Sequence, residues 1–63
     1  MKINLEKLEI AKARACMSTN DIIKAGIPKG TYNRITTTKS AKAVTTGKIA
    51  RILNVDVTEL LED

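Results

Sequence analysis

The sequence predicts an all-α fold of five short helices, and three observations carry that prediction. Apolar residues recur at helical spacing, with Leu5, Leu8, Ala11 and Ala15 early in the chain and Val44, Ile49, Ile52 and Leu53 late in it. Two stretches, Ser18-Thr19-Asn20-Asp21 and Asp56-Val57-Thr58-Glu59, have the capping-box form, in which the first side chain accepts from the third helical N–H and the acid bonds back. The β-branched run Thr36-Thr37-Thr38 has no partner segment with which to form a sheet. With 63 residues and neither internal repeat nor linker, residues 1–63 are expected to form one small domain. A chain of this size buries only about 60% of its unfolded surface.

Taken in order, Asn4 caps a first helix whose apolar stripe is Leu5, Leu8, Ala11 and Ala15, with Ile10 and Met17 on a neighbouring face. Cys16 and Met17 at its end are expected to fill the core. A second helix runs from about Thr19 to Ala25, anchored by Ile22 and Ile23, and at barely two turns depends on its neighbours for stability. Gly26 stops it, because glycine enters a positive-φ helix end at little cost. Pro28 then restarts a helix, its φ already near the helical value. That third helix covers about 28–36, with Ile27, Tyr32 and Ile35 facing the body. Gly30, Asn33, Arg34 and Thr37, at i, i+3, i+4 and i+7, form one polar and basic outer face. Gly30 has two readings: it lets the backbone approach a phosphate, or it sits in a first turn where glycine costs little.

Residues 36–42 read as a loop, and Ser40 as the cap of a fourth helix that reaches Leu53, with Val44, Ile49, Ile52 and Leu53 inward. Gly47 is expected to allow close helix packing, and Asn54 to end the helix. The Asp56 box starts a fifth helix, with Val55 and Leu60 as a hydrophobic staple. Two helices joined by a short turn containing glycine, as at 19–36, form a helix-turn-helix pattern.

Composition narrows the function. The chain has no histidine, one cysteine and one aromatic residue, Tyr32. Its carboxylates lie in the end segments without an acid–base pairing, and no glycine-rich phosphate loop or Cys/His metal spacing occurs. Neither an enzyme nor a metal or cofactor site is expected, nor a small-molecule ligand. The unpaired Cys16 and the lack of a signal-peptide core or long apolar window point to a cytoplasmic protein with no membrane partner. Charge is unevenly spread. Residues 22–55 hold Lys24, Lys29, Arg34, Lys39, Lys42, Lys48 and Arg51 and no acid, while Asp56, Glu59, Glu62 and Asp63 make the last eight residues −4. A basic centre with a helix-turn-helix is the footprint of a nucleic-acid binder.

Laid end to end, the chain resembles the lambda-repressor-like (Cro/cI, XRE-type) helix-turn-helix family from about Leu5 to Glu62. The residues that carry the likeness are Leu8 and Lys12, Met17-Ser18, Gly26-Ile27-Pro28, Thr31-Tyr32-Asn33-Arg34-Ile35, and the C-terminal GKIARILNVDVTELLE, which looks like small phage and mobile-element regulators. The resemblance implies a compact five-helix DNA-binding domain with the third helix in the major groove. It places Lys29, Thr31, Asn33 and Arg34 at base-contacting positions and Gly30 and Thr37 against the DNA backbone. Thr19 falls where family members grip a phosphate, and Lys39 and Lys42 in the loop along the next phosphates. It also implies a pseudo-palindromic double-stranded operator and a weak homodimer through the C-terminal helices. The sequence departs from the family where Lys12 faces Thr36 rather than a glutamate, and where Ile22 or Ile23 replaces a small residue in the second helix.

In chemical terms Asn33 suits bidentate contact with adenine, and Lys29 or Arg34 with guanine N7 and O6; Arg34 fits a phosphate clamp equally well. Leu60 and Leu61 are open to either core or interface. The competing reading is a protein-interaction module, antitoxin- or antirepressor-like, that keeps the fold. A general single-stranded or RNA binder would need exposed aromatics, and Tyr32 is expected to face inward.

Overall fold

Asn4 lies in extended conformation and accepts from the Lys7 N–H at 3.1 Å, which starts α1, Leu5–Ala15. The structure, a computed structural model, describes residues 1–62; Asp63 lies outside them. α1 closes on Cys16, whose φ of 55° lets the Cys16 and Met17 N–H groups reach Ala13 O and Lys12 O. That left-handed turn leaves Cys16 exposed, so it does not fill the core; half-buried Met17 packs against it instead. The Ser18–Asp21 capping box forms as expected and starts α2, Thr19–Lys24. Gly26 follows at φ 132°, and the Gly26 and Ile27 N–H groups return to Ile23 O and Ile22 O. This closure delivers both Ile22 and Ile27 to the core.

After the turn at residues 25–28 comes α3, Lys29–Thr38, longer than expected at its far end. The β-branched threonines do not break it, because Thr36 Oγ1 donates to Asn33 O at 2.9 Å and Thr38 Oγ1 to Arg34 O at 2.7 Å. The helix ends on Lys39, at φ 58°. α4, Ala43–Leu53, starts from Lys42 and not from Ser40. Its inner face is Thr46, Ile49, Ala50 and Leu53, spaced i, i+3, i+4 and i+7. Val44 stands two residues, about 200°, from Thr46 and is therefore 71% exposed rather than inward. Thr46 takes the buried place without penalty because its Oγ1 donates to Lys42 O at 3.0 Å. Gly47 does not mark a close approach: a Cβ added there meets nothing within 4 Å. Asn54 ends α4 in the left-handed region as expected.

In place of a fifth α-helix there is a 3-10 turn, Val57–Glu59. Its capping signal forms, with Asp56 accepting from the Thr58 N–H at 2.9 Å and Glu59 from the Asp56 N–H at 3.1 Å. The chain cannot go on as a helix because an N-terminal segment takes its backbone groups. Asn4 N–H donates to Leu60 O at 2.8 Å and Glu62 N–H to Lys2 O at 3.2 Å. The other side of that segment holds the α3–α4 connection, with Ile3 N–H on Lys39 O and Ala41 N–H on Met1 O, each at 2.9 Å. Ser40, expected to cap a helix, is thus bridged to Lys2, and Ile3 to Leu61. These are isolated bridges; among the described residues no strand forms.

The core draws on every helix and on the N-terminal segment: Ile3, Leu8, Ile22, Ile27, Tyr32, Ile35, Ile49, Leu53 and Leu60 are all buried. Leu60 is wholly core, and Leu61 is half-buried against it. The architecture is all-α, with four α-helices among the described residues, none long and apolar enough to cross a membrane.

Candidate functional site

Burial of Tyr32 and Ile35 fixes how α3 is turned. Lys29, Gly30, Asn33, Arg34 and Thr37 are consequently exposed on its outer side, while Thr31 is half-buried at the flank. At Gly30 an added Cβ meets nothing within 4 Å, so nothing inside the fold calls for glycine there.

Nine of the chain's eleven bases, all but Lys2 and Lys24, divide into two groups. In α1, Lys7 Nζ donates to Leu61 O at 3.1 Å, Lys12 Nζ pairs with Glu9 Oε1 at 3.1 Å, and Arg14 pairs with Glu59 at 3.1 Å. Lys29, Arg34, Lys39, Lys42, Lys48 and Arg51 are all exposed, and among the described residues none makes an ion pair or side-chain hydrogen bond. Three of them, Lys29, Arg34 and Lys39, run along α3 and its end, and Lys42 opens α4. Lys48 and Arg51, also in the basic stretch, border a groove with Gly26, Ile27 and Ile52.

The helix starts divide the same way. Asn4, Ser18 and Asp56 each cap with a side chain and have an acid in the first turn. α3 and α4 have neither. Their first N–H groups have no side-chain cap and lie beside Lys29 and Lys42, where the helix dipole adds to the positive charge.

Thr19 is half-buried and belongs to a network the sequence did not reveal. Lys12, expected to face Thr36, turns instead toward α2, donating to Thr19 Oγ1 at 2.9 Å and lying 5.7 Å from the Tyr32 ring centroid. Burial opposes the charge on Lys12, yet the Tyr32 phenol and the Glu9 carboxylate outweigh it and hold its pKa above 10.5. Because Thr19 Oγ1 accepts from Lys12, its own hydrogen is left to donate elsewhere. Tyr32 Oη is buried near Lys12 but makes no bond of hydrogen-bonding geometry, so its influence on Lys12 is that of proximity, and Glu9 and Thr19 are the groups that bind Nζ. Lys12 at i+3 from Glu9 was the available sequence signal for the pair; the contact with Thr19 depends on how α1 crosses α2. The Ser18 N–H and hydroxyl hold the Asp21 carboxyl below its usual value.

Among the described residues no cluster of three or more His, Cys, Asp or Glu side chains is placed to hold a metal ion. Compared with protein families, curated proteins and solved structures, the chain matches none.

Proposed function

We propose that the chain is a sequence-specific double-stranded-DNA-binding regulator of lambda-repressor-like helix-turn-helix type, a repressor by occupancy that works in the cytoplasm. In this reading α2, the turn at 25–28 and α3 are the helix-turn-helix, and α3 is the recognition helix in the major groove. The observation that carries it is the outer side of α3, where Lys29, Asn33 and Arg34 stand exposed with unpaired Lys39 and Lys42 just beyond, in a stretch without an acid. Such a surface is binding chemistry and not catalysis, because it has donors and charge but no acid–base pair. Asn33 and either Lys29 or Arg34 read base edges, with Thr31 at the margin of the groove. Lys39, Lys42, Thr37, the Thr19 hydroxyl and the uncapped N–H groups near Gly30 hold phosphates and set the register. One module reads few base pairs, so two copies occupy a pseudo-palindromic site about one helical turn apart.

Selection from a randomised duplex library at two salt concentrations tests this. A recovered pseudo-palindromic motif with salt-sensitive affinity is the expected result. Salt-sensitive binding without a motif would reduce the reading to a non-specific binder. No binding at low salt would overturn it in favour of a protein partner.

A further inference from the structure

Lys48 and Arg51 are free bases that the proposed DNA surface leaves unused. They stand at i and i+3 along α4, half-buried Ile52 follows at i+4, and all three border one open groove. Its other wall is the turn between α2 and α3, where Ala25 and Gly26 precede buried Ile27. A Cβ added at Gly26 meets nothing within 4 Å, so another chain can approach that wall closely. The groove is therefore apolar at its base and positive along one rim. Other grooves of the molecule have glutamate in their lining, Glu59 in two of them and Glu6 with Glu62 in a third. This one is lined by no acid.

We infer that the groove docks an acidic segment of a partner protein, with one apolar side chain entering it and neighbouring carboxylates pairing with Lys48 and Arg51. Charge complementarity selects the acid. Both bases are exposed, and among the described residues neither makes an ion pair or side-chain hydrogen bond. Residues 22–55 hold no carboxylate to compete for them. The apolar base selects a peptide over a nucleic acid, because a phosphodiester backbone has no apolar side chain to bury there.

Position points the same way. At 1.5 Å per residue, Lys48 and Arg51 lie about 9 and 14 Å along α4 from Lys42, away from the α3–α4 connection. Lys29, Asn33 and Arg34 are not part of the groove. A docked segment leaves the outer side of α3 free, so the inference goes beyond the DNA reading and does not depend on it.

Titration of the whole chain with short fluorescent peptides, followed by anisotropy without DNA, is the experiment. Each peptide carries one leucine, isoleucine or phenylalanine between runs of aspartate and glutamate. Matched peptides replace that side chain by glycine, or the carboxylates by their amides. At least one acidic apolar peptide is expected to bind saturably below about 1 mM. Its matched peptides are expected to bind at least about ten-fold more weakly. Lys48→Glu together with Arg51→Gln, both exposed changes, is expected to weaken binding at least about ten-fold. Lys39→Glu together with Lys42→Gln, the same charge change at the α3–α4 connection, is expected to shift it by no more than about two-fold. Backbone amide signals should move at Gly26, Ile27 and Ile52 and stay in place at Asn33.

No saturable binding by any of the peptides overturns the inference. So does a glycine peptide that binds as well, or an equal loss in the Lys39 and Lys42 variant, since either means attraction between opposite charges alone. A Lys48 and Arg51 variant that loses duplex DNA but keeps the peptide would also overturn it, by moving those bases into a nucleic-acid interface.

Discussion

α1 and α3 carry similar numbers of bases and treat them in opposite ways. Lys7, Lys12 and Arg14 of α1 are each engaged, by a carbonyl or a carboxylate of the same chain. The side chains of Lys29 and Arg34 of α3, with that of Lys39 at its end, are exposed and engage nothing among the described residues. α1 begins with a side-chain cap and an acid, and α3 with Pro28 and a lysine. The fold thus has the means to satisfy charges and helix ends, and uses them at α1 and not at α3. A surface left unsatisfied where satisfaction was available is the one that has something to give to a partner, which in the proposed reading is the anionic backbone and base edges of DNA.

The comparison can be broken from either side, and the inner side shows the largest effects. Leu60→Ala empties a wholly buried position beside the N-terminal segment and is expected to cost about 2–5 kcal/mol in urea unfolding. Asn33→Ala is expected to leave stability alone and to lose about 1–3 kcal/mol of discrimination at one or two base positions in competition binding. Equal loss on specific and random duplexes would remove Asn33 from base reading.

Pro28→Asp sharpens the contrast, since it gives α3 the capped, acidic start that α1 already has. Thermal melting should rise by about 0.5–2 kcal/mol of stability, while DNA affinity falls. A gain in both would mean that the bare start of α3 meets no phosphate. Lys39→Ala should weaken binding to all sequences and lower the log–log salt slope by about 1. An unchanged slope would take Lys39 out of the interface.

The smallest effects follow pH. Asp21 and Asp56 are held below 3.8 by hydrogen bonds from Ser18 and Thr58. Their contribution is full above 3.8 and is lost as pH falls through their lower folded values. Lys12 is held above 10.5, so its contribution is full below 10.5 and is lost as pH rises through the folded value. Melting across both ends should show these two losses, and the substitutions Asp21→Asn and Asp56→Asn should flatten the acid one.

What the sequence determined by itself was local. The caps at Asn4 and Ser18, the Gly26 turn, the Asn54 helix end and the buried side of α3 depend on residues within one or two turns of each other, and all formed. The outer side of α3 was legible for the same reason, because burial of Tyr32 and Ile35 leaves its other positions outside. Readings that needed a distant segment went differently. The Asp56 box was correctly read as a start, but how far the helix ran was decided by Lys2–Asn4, more than fifty residues away, through bonds to Leu60 and Glu62. Ser40 was drawn to Lys2 by the same kind of long-range pairing, and Lys12 to Thr19, only seven residues on, by the way α1 crosses α2. A polar group takes whichever partner satisfies it best, and spacing along the chain reveals only the near ones. Only the tertiary structure brings the far ones into reach.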